Sequence, residues 1–410
     1  MFNKNISRFP IIYANSGGTC RIAIGWGAHT TVADEAKRVG IKKALIVTTG
    51  LKGTGIIEEL KGILEYNGVP VEIYSGVTSN PKDHEVMAGY KAYIDGECDG
   101  VISIGGGSSH DCAKGIRLVA ANDGADIGNF KMTIDPPWQL DMTKYRGCMI
   151  PQVSVNTTAG TGAEMSGGGA ITHTKERIKR MAVAPGLTPA AAIEDPLLIR
   201  CQPGYLAAQT AWDGFTHAFE IYVSCVESHY SQSMAIYAIK LISDNLREFA
   251  YNRMNRDACE AITWASSMSG GIALGLGGGT GLVHGLGHGL SILYNVHHGL
   301  ANAVMTIPGE RYNQPERPEK FAEMARAMGA NTFGMTKMEA SDAWFYEVER
   351  LLDDLEIESG NLSRFGLKKE DIPHIVQVQH YPDLCNAGNP REYNYDDLVQ
   401  LMENILDEPY

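Results

Sequence analysis

The spacing of apolar residues changes along the chain, and each pattern predicts its own kind of element. Before about residue 195, short apolar runs alternate with amphipathic stretches, and such runs are typical of buried strands. We predict four strands from them: KALIVT (43–48), PVEIYS (70–75), GVISIG (100–105) and AAAIED (190–195). The stretches after the first three runs have helical periodicity, which indicates βαβ units and a parallel sheet.

From Pro203 onward the apolar residues recur at intervals of three and four, as one face of a helix requires. Two long examples are YLAAQTAWDGFTHAFEIYV and MAIYAIKLISDNLREFA. We therefore expect an α/β domain with a parallel sheet followed by an all-helical domain, with a boundary near Pro196 that gives domains 1–196 and 197–410. The chain has no internal repeat, low-complexity segment or heptad run.

The composition changes this picture mainly by exclusion. Of 410 residues, 44% are hydrophobic and 20% are charged, which is ordinary for a protein with a large core. The formal net charge of -13 argues against a nucleic-acid partner, because phosphate backbones bind basic surfaces. No apolar run reaches the roughly 18 residues of a membrane span, the N-terminus lacks a signal-peptide core, and the 8 cysteines form no C-x-x-C pair. We therefore expect a cytoplasmic protein without a membrane or nucleic-acid partner.

The first candidate for chemistry is a glycine run in GVISIGGGSSHD, where Gly105, Gly106 and Gly107 separate a predicted strand from a predicted helix. Glycines at such a turn let backbone N–H groups approach a diphosphate at the helix N-terminus, and Ser108 and Ser109 can cap that helix. The spacing is neither that of a Walker loop nor G-x-G-x-x-G, and a plain tight turn explains these glycines equally well.

A second glycine-rich stretch, NTTAGTGAEMSGGGAIT (156–172), is predicted to be a loop. Thr157, Thr158 and Thr161 offer hydroxyl groups there, and Gly167–Gly169 leaves space beside them. An ordinary polar surface loop is the alternative interpretation.

The histidines are the strongest signal, because four of the 12 lie in GLVHGLGHGLSILYNVHHG. His284 and His288 are four residues apart and share one helix face, and a turn near Tyr294–Asn295 would return the chain through His298. Eight glycines lie between 275 and 289. Each costs a helix about 1 kcal/mol relative to alanine, which indicates that a ligand or a facing backbone approaches closely there.

Asp213 and His217, in AWDGFTHAFE, have the same four-residue spacing. A carboxylate and several imidazoles brought together could bind a divalent cation such as ferrous iron or zinc. The alternatives are an Asp–His hydrogen bond on a helix surface and buried histidines with structural roles. The occurrence of two such pairs favours the metal site.

These motifs together resemble the iron-containing, or group III, alcohol dehydrogenases over almost the whole chain. GGGSSHD, TTAGTGAE, DGFTHAFE, GLVHGLGHG and HHGLANA occur in the family's order and spacing. TTGLKGTGIIEEL (48–60), SNPKDHEVM (79–87) and GNPRE (388–392) look most like the branch of nitrosoaniline-dependent methanol dehydrogenases. The resemblance implies a dinucleotide-binding α/β domain, a helical domain and an active site in the cleft between them.

The resemblance also implies roles for individual residues. The family's metal ligands match Asp213, His217, His284 and His298. The family histidine that lies beside substrate and cofactor matches His288, which we expect to relay the hydroxyl proton. The cofactor-contact positions match Thr49, Gly105, Gly106, Gly107, Ser108, Asp111, Thr157, Thr158, Thr161, Ser166 and Lys179. His297 matches no ligand position and is expected to be structural.

The activity implied is metal-dependent, NAD(P)-linked oxidation of a small primary alcohol, with reduction of an aldehyde as the reverse reaction. Fe²⁺ is the expected metal and Zn²⁺ the alternative, and relatives form dimers to decamers, so a homo-oligomer is expected. A metal-dependent cyclase of the dehydroquinate-synthase type shares the fold, but it needs a cluster of Lys and Arg that residues 203–300 lack. A metallohydrolase would not need the glycine loop, and a non-catalytic metal-binding protein would leave both loops unexplained.

The sequence departs from the family pattern in two places. Many NAD-specific members have an aspartate after the first strand, where this chain has Thr49–Gly50 with Lys52 close by, so we expect a preference for NADP. Trp212 and Phe215 are larger than the usual residues beside the metal aspartate, and we expect them to narrow the alcohol pocket. Cys385 is expected to be either a neighbour of the substrate or a plain buried thiol.

Overall fold

The computed structural model describes residues 20–130, 146–380 and 387–410. The chain forms two compact units, which divide in the sequence between Pro203 and Gly204 and are called the N-terminal and C-terminal units below. The domain limits 1–196 and 197–410 stay predictions, and Cys385 lies outside the described residues. In the described part of the chain, no helix combines the length and the apolar character that crossing a membrane requires.

The N-terminal unit alternates strands and helices, as predicted. Its strands are β1 (Arg21–Ile24), β2 (Ala44–Thr48), β3 (Val71–Tyr74), β4 (Gly100–Gly105), β5 (Gln152–Asn156), β6 (Gly168–His173), β7 (Ile178–Val183) and β8 (Ala191–Glu194). Its helices are α1 (Val32–Arg38), α2 (Ile56–Tyr66), α3 (Asp83–Asp95), α4 (Gly107–Ala121) and α5 (Pro196–Ile199). All four predicted strands are present.

Six of these strands form one parallel sheet in the order β1-β8-β5-β4-β2-β3. Alternate residues of β2 point to opposite faces, so Leu45 and Val47 pack into one apolar cluster and Ala44 and Ile46 into another. Both faces are therefore covered, which explains why the central strands read as continuous apolar runs. The carboxyl ends of β2, β4 and β5 lie together at one edge of the sheet, where the glycine run begins.

The predicted loop over 156–172 is wrong at its end. Gly168–His173 is strand β6, which pairs antiparallel with β7 from Gly168 opposite Val183 to His173 opposite Ile178. The glycines at the start of β6 made this stretch read as a loop, because glycine is rare inside strands. Residues 157–167 do form the predicted connection, but Thr157 is buried, which is unlike an ordinary surface loop.

The C-terminal unit is all-helical among its described residues, as predicted. Its helices are α6 (Gly204–Val223), α7 (His229–Tyr251), α8 (Arg256–Ser266), α9 (Leu282–Leu293), α10 (His298–Asn313), α11 (Pro318–Ala327), α12 (Lys337–Asp354), α13 (Ile372–His380) and α14 (Tyr395–Asn404). A π-helical stretch, Ser267–Ala273, continues α8. The side chains of Ser228 and Thr336 accept backbone N–H groups at the starts of α7 and α12, and so fix where those helices begin.

An aromatic row forms the core of the C-terminal unit. Trp212 stacks edge-on against Phe215 with ring centroids 5.4 Å apart, and the row continues through Phe219 to Trp344. Trp212 is fully buried, and its Nε1–H donates to Thr306 Oγ1 at 3.0 Å. Both side chains pack between helices, which argues against the expectation that Trp212 and Phe215 narrow an alcohol pocket.

A Trp212→Val variant should lose stability and keep its substrate preference. Removing most of a fully buried indole leaves a cavity and takes away the N–H group that Thr306 Oγ1 accepts, and we expect the free energy of unfolding to fall by about 3 kcal/mol. Urea denaturation followed by far-UV circular dichroism measures this loss, and Trp264→Val, at a half-exposed position on α8, is the matched control. If the variant accepted a broader range of alcohols and kept its stability, Trp212 would be shown to line the alcohol pocket.

Candidate functional site

Helix α6 positions the first two predicted ligands. Asp213 and His217 lie one turn apart on the same face and are buried to 2% and 7% exposure. Nδ1 of His217 lies 3.0 Å from the backbone carbonyl oxygen of Asp213, so it donates there and leaves Nε2 as the free lone pair of the neutral ring. The helix itself thus selects which imidazole nitrogen is presented to the site.

Helices α9 and α10 bring the other two ligands to the same point. His284 lies on α9, His298 is the first residue of α10, and Asn295 adopts a left-handed conformation (φ 54°) in the predicted turn between them. Nε2 of His284 and Nε2 of His298 each lie 3.4 Å from Asp213 Oδ1. The ligand atoms of Asp213, His217 and His284 all lie within 4.8 Å of one another. The structure therefore gathers all four residues that the sequence indicated.

His288 lies beside this cluster. It is one turn along α9 from His284, its ring stacks on that of His298 with centroids 4.9 Å apart, and it is buried to 6% exposure. Its centroid is 6.4 Å from that of His284. This position suits the predicted role next to the ligands. His297 directly precedes α10 as its N-cap residue.

The charges of the cluster perturb its titration strongly. Burial raises the pKa of the Asp213 carboxyl, but its electrostatic interactions with His298, His217 and His284 outweigh burial and hold that pKa far below its ordinary value. Burial and the neighbouring His284 lower the pKa of His217 to about 4. Burial also lowers the pKa of His284, but Glu220 and Asp213 raise it to about 9. The site thus holds an ionised carboxylate, and positive charge is favourable beside it.

The donor set fits a divalent cation. One carboxylate and three imidazoles are ligands that both Fe²⁺ and Zn²⁺ accept. Nε2 of His284 is buried and forms no hydrogen bond of normal geometry with any residue in the described ranges. Asp213 Oδ1 lies 3.4 Å from it, and this long contact leaves the nitrogen available to a metal ion.

Two polar residues around the ligands were not anticipated from the sequence. Glu220 accepts a hydrogen bond from Nδ1 of His284 at 2.5 Å, and the Asn302 side-chain amide donates to Asp213 Oδ1 at 2.9 Å. A usable signal was present, because both are polar residues on otherwise apolar helix faces, within one turn of a ligand.

The glycines around the ligands provide close approach between helices. A Cβ atom on Gly299 would lie 1.8 Å from the backbone carbonyl oxygen of Gln209, so α10 and α6 touch there backbone to backbone. A Cβ atom on Gly287 would lie 2.4 Å from Asn302 Oδ1. Within the segment 275–289, a Cβ atom on Gly279 would lie 2.9 Å from Gly388 Cα, so a facing backbone does approach there.

In the N-terminal unit the glycine run forms a cradle with the threonine loop. Gly105 has φ 144°, which side-chain-bearing residues rarely adopt, and its carbonyl oxygen accepts the N–H of Thr157 at 3.0 Å. A Cβ atom on Gly106 would lie 2.7 Å from Thr158 Oγ1, and one on Gly107 would lie 2.8 Å from Thr161 Cγ2. The two loops predicted separately therefore lie against each other at the N-terminus of α4. Ser108 lies in the first turn of α4, and the Thr49 carbonyl oxygen would lie 3.5 Å from a Cβ atom on Gly105.

Two of the remaining predicted cofactor contacts, Asp111 and Ser166, lie beside a buried lysine that the sequence did not indicate. Lys114, fully buried on α4, donates to Ser166 Oγ at 3.0 Å and lies 3.4 Å from Asp111 Oδ1. Burial raises the pKa of Asp111, while Lys114 opposes that rise. Lys179 lies on β7 and donates to the Asn80 side chain at 3.2 Å. Lys114 thus brings Asp111 and Ser166 together. The role of Asp111, Ser166 and Lys179 in cofactor contact stays a prediction.

Two family models match this chain. The model described as iron-containing alcohol dehydrogenase matches residues 19–196, and that of the C-terminal region of the Fe-containing alcohol dehydrogenase family matches residues 207–406. The protein belongs to the iron-containing alcohol dehydrogenase family. The resemblance found in the motifs is confirmed, and the protein is an enzyme of the alcohol dehydrogenase and aldehyde reductase class.

Full-length relatives support the same assignment. The methanol:N,N-dimethyl-4-nitrosoaniline oxidoreductase of a Mycobacterium sp. is 36% identical, and the match covers 95% of each chain. The NAD-dependent methanol dehydrogenase of Bacillus methanolicus is 34% identical over 93% of this chain and 97% of its own. The structure of an alcohol dehydrogenase from Oenococcus oeni matches with a TM-score of 0.87 at 30% identity, covering 96% of this chain and 99% of that one. The predicted likeness to the nitrosoaniline-dependent branch is thereby confirmed.

Proposed function

We propose that this alcohol dehydrogenase oxidises small primary alcohols of the methanol, ethanol, propanol and short-diol class, and reduces the matching aldehydes in reverse. The observation that carries the proposal is the convergence of Asp213, His217, His284 and His298 on one buried point. Relatives named for methanol and 1,3-propanediol oxidation support the substrate class.

The four converging residues would hold the divalent ion, for which we propose Fe²⁺. The ion would supply Lewis acidity toward the alcohol oxygen, and a nicotinamide would take up the hydride equivalent that the alcohol carbon loses. Asp213 contributes the negative charge of the site, and the helices fix the three imidazoles before any substrate arrives. Because Asp213, His217 and His284 are buried and His298 is partly buried, little reorganisation is needed when the alcohol binds.

His288 is the residue that we propose to move the hydroxyl proton. Alcohol oxidation releases one proton for each hydride transferred, and this proton must leave a buried site. Imidazole titrates near neutral pH, and the His288 ring stacks directly on a ligand ring. Its ring nitrogens can therefore receive the proton beside the ligands and pass it on.

The cradle would hold the cofactor diphosphate. Gly105, Gly106 and Gly107 expose backbone N–H groups at the N-terminus of α4, where the helix dipole favours an anion. Thr157, Thr158 and Thr161 would contact the nicotinamide end, and Thr49, Ser108, Asp111, Ser166 and Lys179 complete the proposed contact set. No acidic residue follows β2 between 48 and 53, and the exposed Lys52 lies in that turn, so we propose a preference for NADP.

The test is anaerobic turnover. The purified protein would be loaded with ferrous iron and given methanol, ethanol or 1-propanol with NAD or NADP, and reduced nicotinamide would be followed by absorbance. Turnover with a higher kcat/KM for NADP supports the whole proposal, whereas turnover preferring NAD refutes only the cofactor preference. No turnover, with nucleotide released on denaturation, indicates a cofactor that stays bound and is reoxidised by another carrier. No turnover and no nucleotide binding contradicts the proposed function.

A Gly106→Val variant should lose nucleotide affinity and keep its metal. The new side chain would occupy the space between Gly106 and Thr158, where even a Cβ atom lies 2.7 Å from Oγ1. We expect Kd for NADPH to rise at least about tenfold, which corresponds to about 1.4 kcal/mol. Nucleotide fluorescence titration measures it, and Gly62→Val, on α2 with open space around it, is the control. Equal affinities in both variants would show that the cradle holds no diphosphate.

A further inference from the structure

Glu220 lies on α6, close to one turn beyond His217, and faces the beginning of α9. Its carboxylate is buried to 2% exposure. Oε1 accepts the backbone N–H groups of Val283 at 2.8 Å and His284 at 3.3 Å, and Oε2 accepts from Nδ1 of the His284 ring at 2.5 Å. Three N–H donors therefore converge on one side chain, which is the arrangement that an ionised carboxylate satisfies.

These contacts determine how His284 enters the site. Because Oε1 and Oε2 both act as acceptors, Nδ1 of His284 must carry a hydrogen, and Nε2 is the nitrogen turned toward Asp213 Oδ1 at 3.4 Å. The backbone contacts hold the start of α9 by the same carboxylate, so ring and helix are fixed together. Gly281 keeps the space open, since a Cβ atom there would lie 3.3 Å from Oε1.

We propose that Glu220 is a positioning residue of the metal centre: it sets the tautomer and the ring orientation of His284 so that Nε2 faces the cation. The inference rests on the metal centre proposed above. A metal-ligating histidine commonly donates its other ring N–H to a carboxylate, and loss of that partner weakens metal binding about 10- to 100-fold. Glu220 adds to this the capping of the helix that carries the ligand.

The direct test is Glu220→Gln. Glutamine has one acceptor oxygen, so its amide must place an N–H group against one of the three donors. We expect the affinity for Zn²⁺, measured by competition with a chromophoric chelator, to fall about 10- to 100-fold. The absorption bands of the Co²⁺-substituted protein should also shift, because the His284 ring no longer holds its orientation. A change in packing alone would not alter the cobalt spectrum.

Glu85→Gln is the matched control, because Glu85 is a buried carboxylate on α3 whose Oε2 accepts the backbone N–H groups of Thr78 at 3.3 Å and Lys82 at 3.0 Å. It should keep its Zn²⁺ affinity within about twofold and its cobalt spectrum unchanged. A Glu220→Gln protein with wild-type affinity and spectrum overturns the inference. A wild-type protein that binds neither ion overturns the proposed metal centre instead, so the two failures are distinguishable.

A measurement on the unmutated protein covers the case in which Glu220→Gln does not fold. In the Zn²⁺-loaded protein labelled with ¹⁵N-histidine, the nuclear magnetic resonance signals of His284 should show a protonated, strongly hydrogen-bonded Nδ1 and a coordinated Nε2. Coordination through Nδ1 would overturn the inference without any variant.

Discussion

An Asp213→Asn variant is expected to fold but to lose bound metal and alcohol oxidation together. Oδ1 of Asp213 is the atom on which the site converges, 3.4 Å from the Nε2 atoms of both His284 and His298. The amide keeps the shape and removes the charge. We expect metal affinity to fall at least about 100-fold, since removal of an outer partner already costs about 10- to 100-fold. We expect kcat/KM to fall on the order of 10³-fold, or about 4 kcal/mol of transition-state stabilisation.

Metal content after dialysis and steady-state kinetics with added iron measure both effects. Asp244→Asn is the control, because its carboxylate pairs with Lys240 on the exposed face of α7 at 2.7 Å, away from every histidine of the cluster. NADPH affinity should stay at the wild-type value in both variants, because the cradle belongs to the other unit. Full metal occupancy and turnover in Asp213→Asn would refute the assigned ligand set.

A Gly299→Ala variant should damage the site by separating two helices. The added methyl group would lie 1.8 Å from the Gln209 carbonyl oxygen, and backbone atoms cannot rotate away as a side chain does. Gly299 follows the ligand His298, and Gln209 lies one turn before the ligand Asp213, so any relief of the clash moves ligands apart. We expect a loss of about 1–3 kcal/mol in stability and weaker metal binding.

Thermal unfolding and chelator competition report these two losses. Gly275→Ala is a matched substitution, because Gly275 is exposed, has no positive φ and has nothing within 4 Å of the new Cβ atom. It should be neutral or slightly stabilising, as alanine favours helix over glycine. If Gly299→Ala matched Gly275→Ala in both measurements, the tight contact between α6 and α10 would have no role in the site.

The sequence predicted the central strands β2 and β4 from continuous apolar runs, but it missed the neighbouring strand β5, whose run is interrupted by polar residues. Strand β5 reads QVSVN, and its polar side chains point inward. Gln152 and Ser154 hydrogen-bond with Ser103 on β4, and Arg117 of α4 donates to Gln152 at 3.0 Å. From the sequence alone, such a buried polar network cannot be told from an exposed face, because the hydrogen-bonding partners come from elements distant in the chain. Strand β1 was missed as well, although it is no shorter than the predicted strand β3.

The family resemblance supplied the proposed ligand set, and the residue pattern supported it, because Asp213 and His217 have helical spacing and a predicted turn returns the chain from His284 to His298. The contacts made by the residues around these ligands could not be predicted, since the sequence does not show that α6 packs against α9. Glu220 meets His284 across 64 positions of sequence, and Asn302 meets Asp213 across 89. The same limit applies to Lys114, whose contact with Ser166 spans 52 positions. Periodicity identifies residues that share a face of one helix, but it does not show which face of another helix they meet.

Three of the glycines near the proposed ligands, Gly281, Gly287 and Gly299, are so tightly packed that an added Cβ atom would lie 2.7 Å or closer to another atom, which would have to move. Every glycine codon begins with two guanines, and any single-base change that alters the residue adds at least one carbon or ends the chain. No single-base substitution at these positions therefore yields a residue as small as glycine. A change of residue at these glycines requires the facing residue to move or to be replaced first. This restricts the order in which substitutions can accumulate around the proposed metal centre.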